Sequence, residues 1–172
     1  MYYKSVFKEK YLLQEIESNS NKKILIKSLK LLNSSSYKGH NLLFELIKSN
    51  DSTAIVLSSL FSQEYEDEKS FNDRHLKLLY KASKLENKLA LYSLGVYLDT
   101  GEYITENKIL AMEFFKKSAE LGMPQSMTIY GIMLYYGTGG TEKDIVKGLT
   151  LIRQSASMYE DNAVDFLNYI SQ

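Results

Sequence analysis

The sequence predicts an all-α fold built as an array of antiparallel helix pairs. Three observations predict it. Small residues recur at a fixed interval: Gly95 and Gly101 return as Gly131 and Gly137, each 36 residues later, and Ser59 precedes Gly95 by the same 36. Apolar residues between these marks fall at helical spacing, as at Leu91, Leu94 and Leu98. Proline occurs once in 172 residues, while 44% of the chain is apolar, enough for a core. A period of this length marks stacked helical units, none of which buries its apolar face alone.

The elements follow in order within one helical-repeat domain, residues 1–172. Residues 1–51 read as degenerate N-terminal helices, with 21–51 a shortened unit. Leu42, Leu43 and Phe44 stand 36 residues before Leu78, Leu79 and Tyr80. Residues 52–88 form a degenerate repeat in which Ser59, Tyr65 and Glu86 take the places of three glycines. Residues 89–125 are a full repeat. Its first helix carries Leu91, Leu94 and Leu98, and its loop from Asp99 to Thr105 has Gly101 as a stop signal. Its second helix is expected to turn Ala111, Phe114, Phe115, Ser118 and Ala119 inward and ends at Gly122. Pro124 stands near the start of the next first helix, where a missing N–H is tolerated.

Residues 126–162 form the next repeat, with a loop one residue longer. Ala111 therefore matches Gly148, Ser118-Ala119 matches Ser155-Ala156, and Tyr159 stands where Gly122 stood. Gly95 and Gly131 are expected at close helix crossings that leave no room for a side chain. Residues 163–172 read as a closing helix. Phe166, Leu167, Tyr169 and Ile170 are more than one buried face holds. One side is expected on the last repeat and another available to a ligand or to a second copy in a homodimer.

Charge and composition remove several classes of chemistry. Lys plus Arg equals Asp plus Glu at 21 each, which argues against a nucleic-acid binder. Residues 1–48 hold nine Lys against four acids, so the excess of acid falls on the remainder. Cysteine is absent, excluding disulfides, thiolate zinc sites and thiol catalysis. No stretch approaches a membrane span, and Lys4, Lys8, Glu9 and Lys10 interrupt any signal-like start, so a cytoplasmic protein is expected. A usage rich in Lys, Asn, Ile, Ser and Tyr suggests an AT-rich bacterial genome.

Candidate sites are few. No metal, cofactor or catalytic residue is expected. His40 and His75 are 35 residues apart without cysteine support. His75 falls on the packed side of a second helix, and His40 reads as a capping or solvent residue. Gly137-Thr-Gly-Gly-Thr-Glu-Lys143 lacks the Gly-Lys-Ser/Thr ending of a phosphate loop and reads as a turn. Lys22, Lys23, Lys27 and Lys30 read as a solvated face, with a membrane-surface role disfavoured. The acids Glu64, Glu66, Asp67 and Glu68 are either a solvated loop or a docking patch for a basic partner.

Ala90-Leu-Tyr-Ser-Leu-Gly95, Gly101, Ala111-Met112, Phe114-Phe115, Lys117-Ser-Ala-Glu120 and Gly122 together resemble a Sel1-like repeat, the SLR branch of the tetratricopeptide superfamily. Tyr130-Gly131, Gly137-Thr-Gly139, Asp144, Gly148-Leu149 and Ser155-Ala156 resemble a second. The resemblance implies a right-handed α-solenoid of about three to four repeats plus the closing helix. It also implies that first helices line a concave face. With Gly95 as anchor that face takes Tyr92, Val96, Asp99 and Thr100, then Thr128, Ile132, Tyr135 and Tyr136, and earlier Val56, Leu60, Gln63 and Glu64. Tyr135 and Tyr136 are either aromatic anchors for a partner or packed on the closing helix. The implied function is non-catalytic protein binding. One version is a bacterial immunity protein that covers the basic surface of a toxin with Glu64, Glu66, Asp67, Glu68 and Asp99. The alternatives are an adaptor or assembly factor for a secretion, envelope or signalling complex, or a peripheral membrane-surface adaptor.

Overall fold

A computed structural model describes residues 3–172 of the chain. Among these residues there are ten helices and no strand beyond an isolated bridge between Tyr3 and Phe61. The fold is all-α and of the helical-repeat class expected from the period. The helices are α1 (Glu9–Ser18), α2 (Lys22–Asn33), α3 (Lys38–Lys48), α4 (Ser52–Leu60) and α5 (Glu68–Lys84). They continue as α6 (Lys88–Thr100), α7 (Lys108–Glu120), α8 (Pro124–Tyr136), α9 (Ile145–Ser157) and α10 (Asp161–Ile170). The chain forms two compact units, one ending at Ala90 and one running from Leu91 to Gln172.

In the first unit, α1 packs on α2, α2 on α3, α3 on α4 and α4 on α5. The amphipathic α2 buries Leu25, Ser28, Leu29 and Leu32 and exposes Lys23, Lys27 and Lys30 on the opposite side, the solvated face its spacing predicts. By contrast α4 is buried from Thr53 through Leu60, as an uncharged nine-residue helix must be. His75 is buried in α5, and its Nδ1 lies 2.7 Å from the Ser59 carbonyl. His40 departs from the capping or solvent role. It lies in the first turn of α3, half-buried, with Nδ1 3.2 Å from Ser58 Oγ and Nε2 3.1 Å from the Ser62 carbonyl. The ring therefore ties α3 to the end of α4, a tertiary role that local sequence does not announce.

In the second unit, α7 packs on α8, α8 on α9, and α9 on α10. The small residues have the steric function expected of them. A Cβ on Gly95 would lie 2.8 Å from the Phe115 ring. A Cβ on Gly131 would lie 2.7 Å from Ile152 Cγ1 and 2.9 Å from the Gly148 carbonyl, and one on Gly148 would lie 2.6 Å from the Gly131 carbonyl. These two glycines let α8 and α9 touch backbone to backbone. The serines at the repeated Ser-Ala pairs cross-link the helices through hydroxyls. Ser126 Oγ donates to Ser118 Oγ at 2.7 Å, and Ser155 Oγ donates to the Pro124 carbonyl at 2.7 Å while pairing with Thr128 Oγ1 at 2.8 Å.

One cap ends α2, α3, α5, α7 and α9. The residues Ser35, Asn50, Glu86, Gly122 and Tyr159 take left-handed φ values of 59°, 61°, 56°, 81° and 58°. Each sends its N–H to the carbonyl three residues back, and the next residue sends its own to the carbonyl five back, as Met123 does to Ser118. Only Gly122 adopts this conformation without a Cβ penalty. The substitutions read from the period, Glu86 and Tyr159 for glycine, thus keep the geometry and carry its strain. Tyr65, in place of Gly101, does the same at φ 59°.

Candidate functional site

The residues expected on a concave face divide into those the fold uses and those it leaves open. Tyr92 is buried at 6% exposure, and its hydroxyl accepts from Gln125 Nε2 at 3.0 Å, joining α6 to α8. Burial, and next the Glu160 charge, push the Tyr92 hydroxyl up to about 12. Thr128 is buried and hydrogen-bonded to Ser155, and Val56 and Leu60 are core residues. The expectation that Tyr92 and Thr128 present themselves to a partner is corrected: their side chains pack the helices together. Asp99 is partly exposed and paired with Lys108 at 3.2 Å. Val96 and Ile132 are half-buried, and Tyr136 is 50% exposed.

Tyr135 and Tyr136 do pack on the closing helix. The Tyr135 ring meets Tyr136 edge to face at 5.0 Å and Phe166 at 5.4 Å, and Tyr136 meets Phe166 at 6.2 Å. Tyr136 still keeps half its surface. The helix α10 begins at Asp161, two residues before the expected 163. Its Tyr169 is 69% exposed, and Val164 is 41% exposed. Tyr169 stands 37 residues after Ile132, which stands 36 after Val96, so α10 is the first helix of a further unit. Phe166, packed on Tyr135, and Tyr169, left exposed, are the two sides expected of this helix, and the 37-residue spacing aligns Tyr169 with Ile132.

The acidic run before α5 is mostly helix-starting chemistry, a correction to the docking patch that counted Glu64 and Glu66 together. Asp67 caps α5 by accepting from Ser70 N at 2.7 Å, and Glu68 lies in its first turn, where the helix dipole favours a carboxylate. Glu66 binds Arg74 through both oxygens, at 2.7 and 2.9 Å, and accepts from Gln63 N at 2.7 Å. Burial works against the Glu66 charge, but the Arg74 and Gln63 hydrogen bonds outweigh it and hold the carboxyl below its ordinary range. Arg74 in turn donates to the Ser58 and Phe61 carbonyls. Glu66 is therefore a structural anion, and only Gln63 and Glu64 of that group remain exposed and without such a role.

With this geometry in view, the comparisons with known proteins are specific. Residues 88–123 and 124–159 each match the Sel1 repeat. The chain carries two Sel1 repeats in tandem, over residues 88–159. Solved structures agree on the fold. A Sel1 repeat protein from Oxalobacter formigenes is 19% identical, with a TM-score of 0.64 over 73% of this chain and 94% of that one. A protective antigen of uropathogenic Escherichia coli displaying an SLR fold is 19% identical, with a TM-score of 0.58 over 72% of this chain and 26% of its own. The cysteine-rich protein B of Helicobacter pylori is 15% identical, with a TM-score of 0.54 over 87% and 98%. No curated protein sequence matches the chain.

Sel1 repeats are in general protein–protein interaction modules and not catalysts. The two matched repeats pair α6 with α7 and α8 with α9, so α10 follows them as an unmatched first helix. A groove of about 740 Å³ opens on the side of the second helices, between α7 and the start of α9, with Tyr130 and Leu134 among its lining. Its walls alternate in sign, Glu113 and Asp144 against Lys116 and Lys147. No helix among the described residues is long and apolar enough to cross a membrane, and no cluster of three or more His, Cys, Asp or Glu is placed to hold a metal ion.

Proposed function

We propose that this chain is a non-catalytic binding module whose protein partner docks on the first helices of the second unit. The observation that carries the reading is the aromatic surface at α8 and α10. Tyr136 and Tyr169 are 50% and 69% exposed although neither is needed to fill the core. Large amphipathic rings on rigid helices are the residue type on which interface energy concentrates. Both histidines have internal structural hydrogen bonds, which weighs against an acid–base role for them. Affinity capture on the full chain, repeated with Tyr136→Ala, tests the proposal. A partner lost with that variant supports it; a partner retained by it, or substrate turnover by the purified chain, contradicts it.

An immunity protein that covers a toxin is the more specific version. It is favoured by the acidic balance of residues 91–172, ten acids against six bases, which suits a basic target surface. Co-expression of the captured partner decides between this and an adaptor: growth arrest relieved by this chain supports immunity, and a harmless partner supports an adaptor.

A further inference from the structure

We infer that α8 and α10 form a docking platform for a basic segment of the partner, one in which Arg or Lys stands beside apolar side chains. The inference rests on the protein-binding reading and names the chemistry of its site. The platform consists of Ile132, Tyr136, Phe166 and Tyr169, with Asp165 at its edge. Tyr135, Tyr136 and Phe166 hold one another edge to face, so the rings are oriented before any partner arrives. Asp165 and Tyr169 are four residues apart on α10, so they are neighbours on one helix face, and both are exposed.

The charge of this surface has one sign. From Leu91 onward the six bases are Lys108, Lys116, Lys117, Lys143, Lys147 and Arg153. All belong to α7, α9 or the loop before α9. The helix α8 has no charged residue, α10 has only Asp161 and Asp165, and α6 from Leu91 onward has only Asp99. A guanidinium or ammonium group meets ring faces and a carboxylate here, with no base on these helices to repel it. An acidic segment meets the like charge of Asp165 beside the rings. A wholly apolar segment covers the rings but leaves the charge beside them unused.

A phage-displayed library of random dodecapeptides, selected on the immobilised full chain, tests the inference. The enriched peptide is then titrated by fluorescence anisotropy. Enrichment of Arg or Lys next to Leu, Ile or Phe is expected. Tyr136→Ala and Tyr169→Ala should each weaken binding at least tenfold. Asp165→Lys should weaken it comparably in low salt and less in high salt, while Val146→Ala, on the opposite groove, leaves it unchanged. Tyr169→Gln serves as a second variant, and circular dichroism verifies that each variant folds. Acidic or uncharged enriched peptides overturn the inference, as does absence of enrichment. Basic peptides that bind the α8 and α10 variants as tightly as wild type overturn it while leaving the protein-binding module standing at another site. A dimer in light scattering that Tyr169→Ala dissolves assigns the surface to a second copy and also overturns it. If affinity capture finds no partner either, the failure extends to the broader reading.

Discussion

Replacing Gly148 by alanine should loosen the second unit, and the amount follows from the backbone contact. The new Cβ would lie 2.6 Å from the Gly131 carbonyl oxygen and 2.9 Å from Tyr135 N. Both are backbone atoms inside α8, so no rotamer change relieves them, and the helices must separate. Overpacking of this kind costs about 1–3 kcal/mol, and the better helix propensity of alanine returns about 0.5–1 kcal/mol. A net loss of roughly 1–2 kcal/mol is expected, or about 2–8 °C in Tm for a chain of this size. Gly95→Ala meets the Phe115 ring instead, at 2.8 Å, and a ring yields more readily than a helix backbone. Thermal melts at 222 nm should therefore rank wild type above Gly95→Ala and Gly95→Ala above Gly148→Ala. A Gly148→Ala protein that melts at or above wild type refutes the close crossing and the register built on it.

Burial, with the Lys4 and Arg74 charges, holds His75 down at about 4, against an ordinary value of 6.5, and the Ser59 carbonyl pulls the other way. The unfolded chain therefore takes up the proton first, and stability that is full above about pH 6.5 falls toward pH 4. By pH 4.5 the loss should reach about 2–3 kcal/mol, and urea midpoints of wild type and His75→Gln at pH 7.5 and 4.5 measure it; a pH dependence identical in the variant contradicts the assignment. Tyr65 is 97% exposed at φ 59°, so Tyr65→Gly should relieve left-handed strain and stabilise the chain by roughly 0.5–1 kcal/mol, seen as a raised urea midpoint. Glu66→Lys should break the Arg74 pair and lower Tm, which a melt beside a Glu64→Lys control detects. Removing residues 163–172 should also lower Tm, because it takes Ala163 and Phe166 from α8 and α9.

The repeat geometry was legible wherever the period touches backbone. Gly95 and Gly131 mark close crossings, and Glu86 and Tyr159 mark left-handed caps, because each position has a steric demand that only a few conformations meet. The open face of the first helices was less legible. Tyr92 and Thr128 occupy first-helix positions that a repeat pattern assigns to the open face, yet Gln125 and Ser155 draw them inward, and those partners lie 33 and 27 residues away. The acids at 64–68 look like one patch in the sequence. The structure divides them because Asp67 has a helix to cap and Arg74, in the second turn of that helix, claims Glu66. His40 shows the same limit: its bonds to Ser58 and Ser62 depend on how α3 packs on α4.

Site-specific photocrosslinking tests the central claim most directly. A photoreactive phenylalanine analogue is placed at Tyr136, on the aromatic surface, and separately at Val146, which is 78% exposed on the side of the second helices. Both proteins are irradiated in cells of the source organism. A covalent adduct with a single protein from position 136, and none from position 146, is the result expected. An adduct from position 146 alone would contradict the account and move the interface to the groove between α7 and α9.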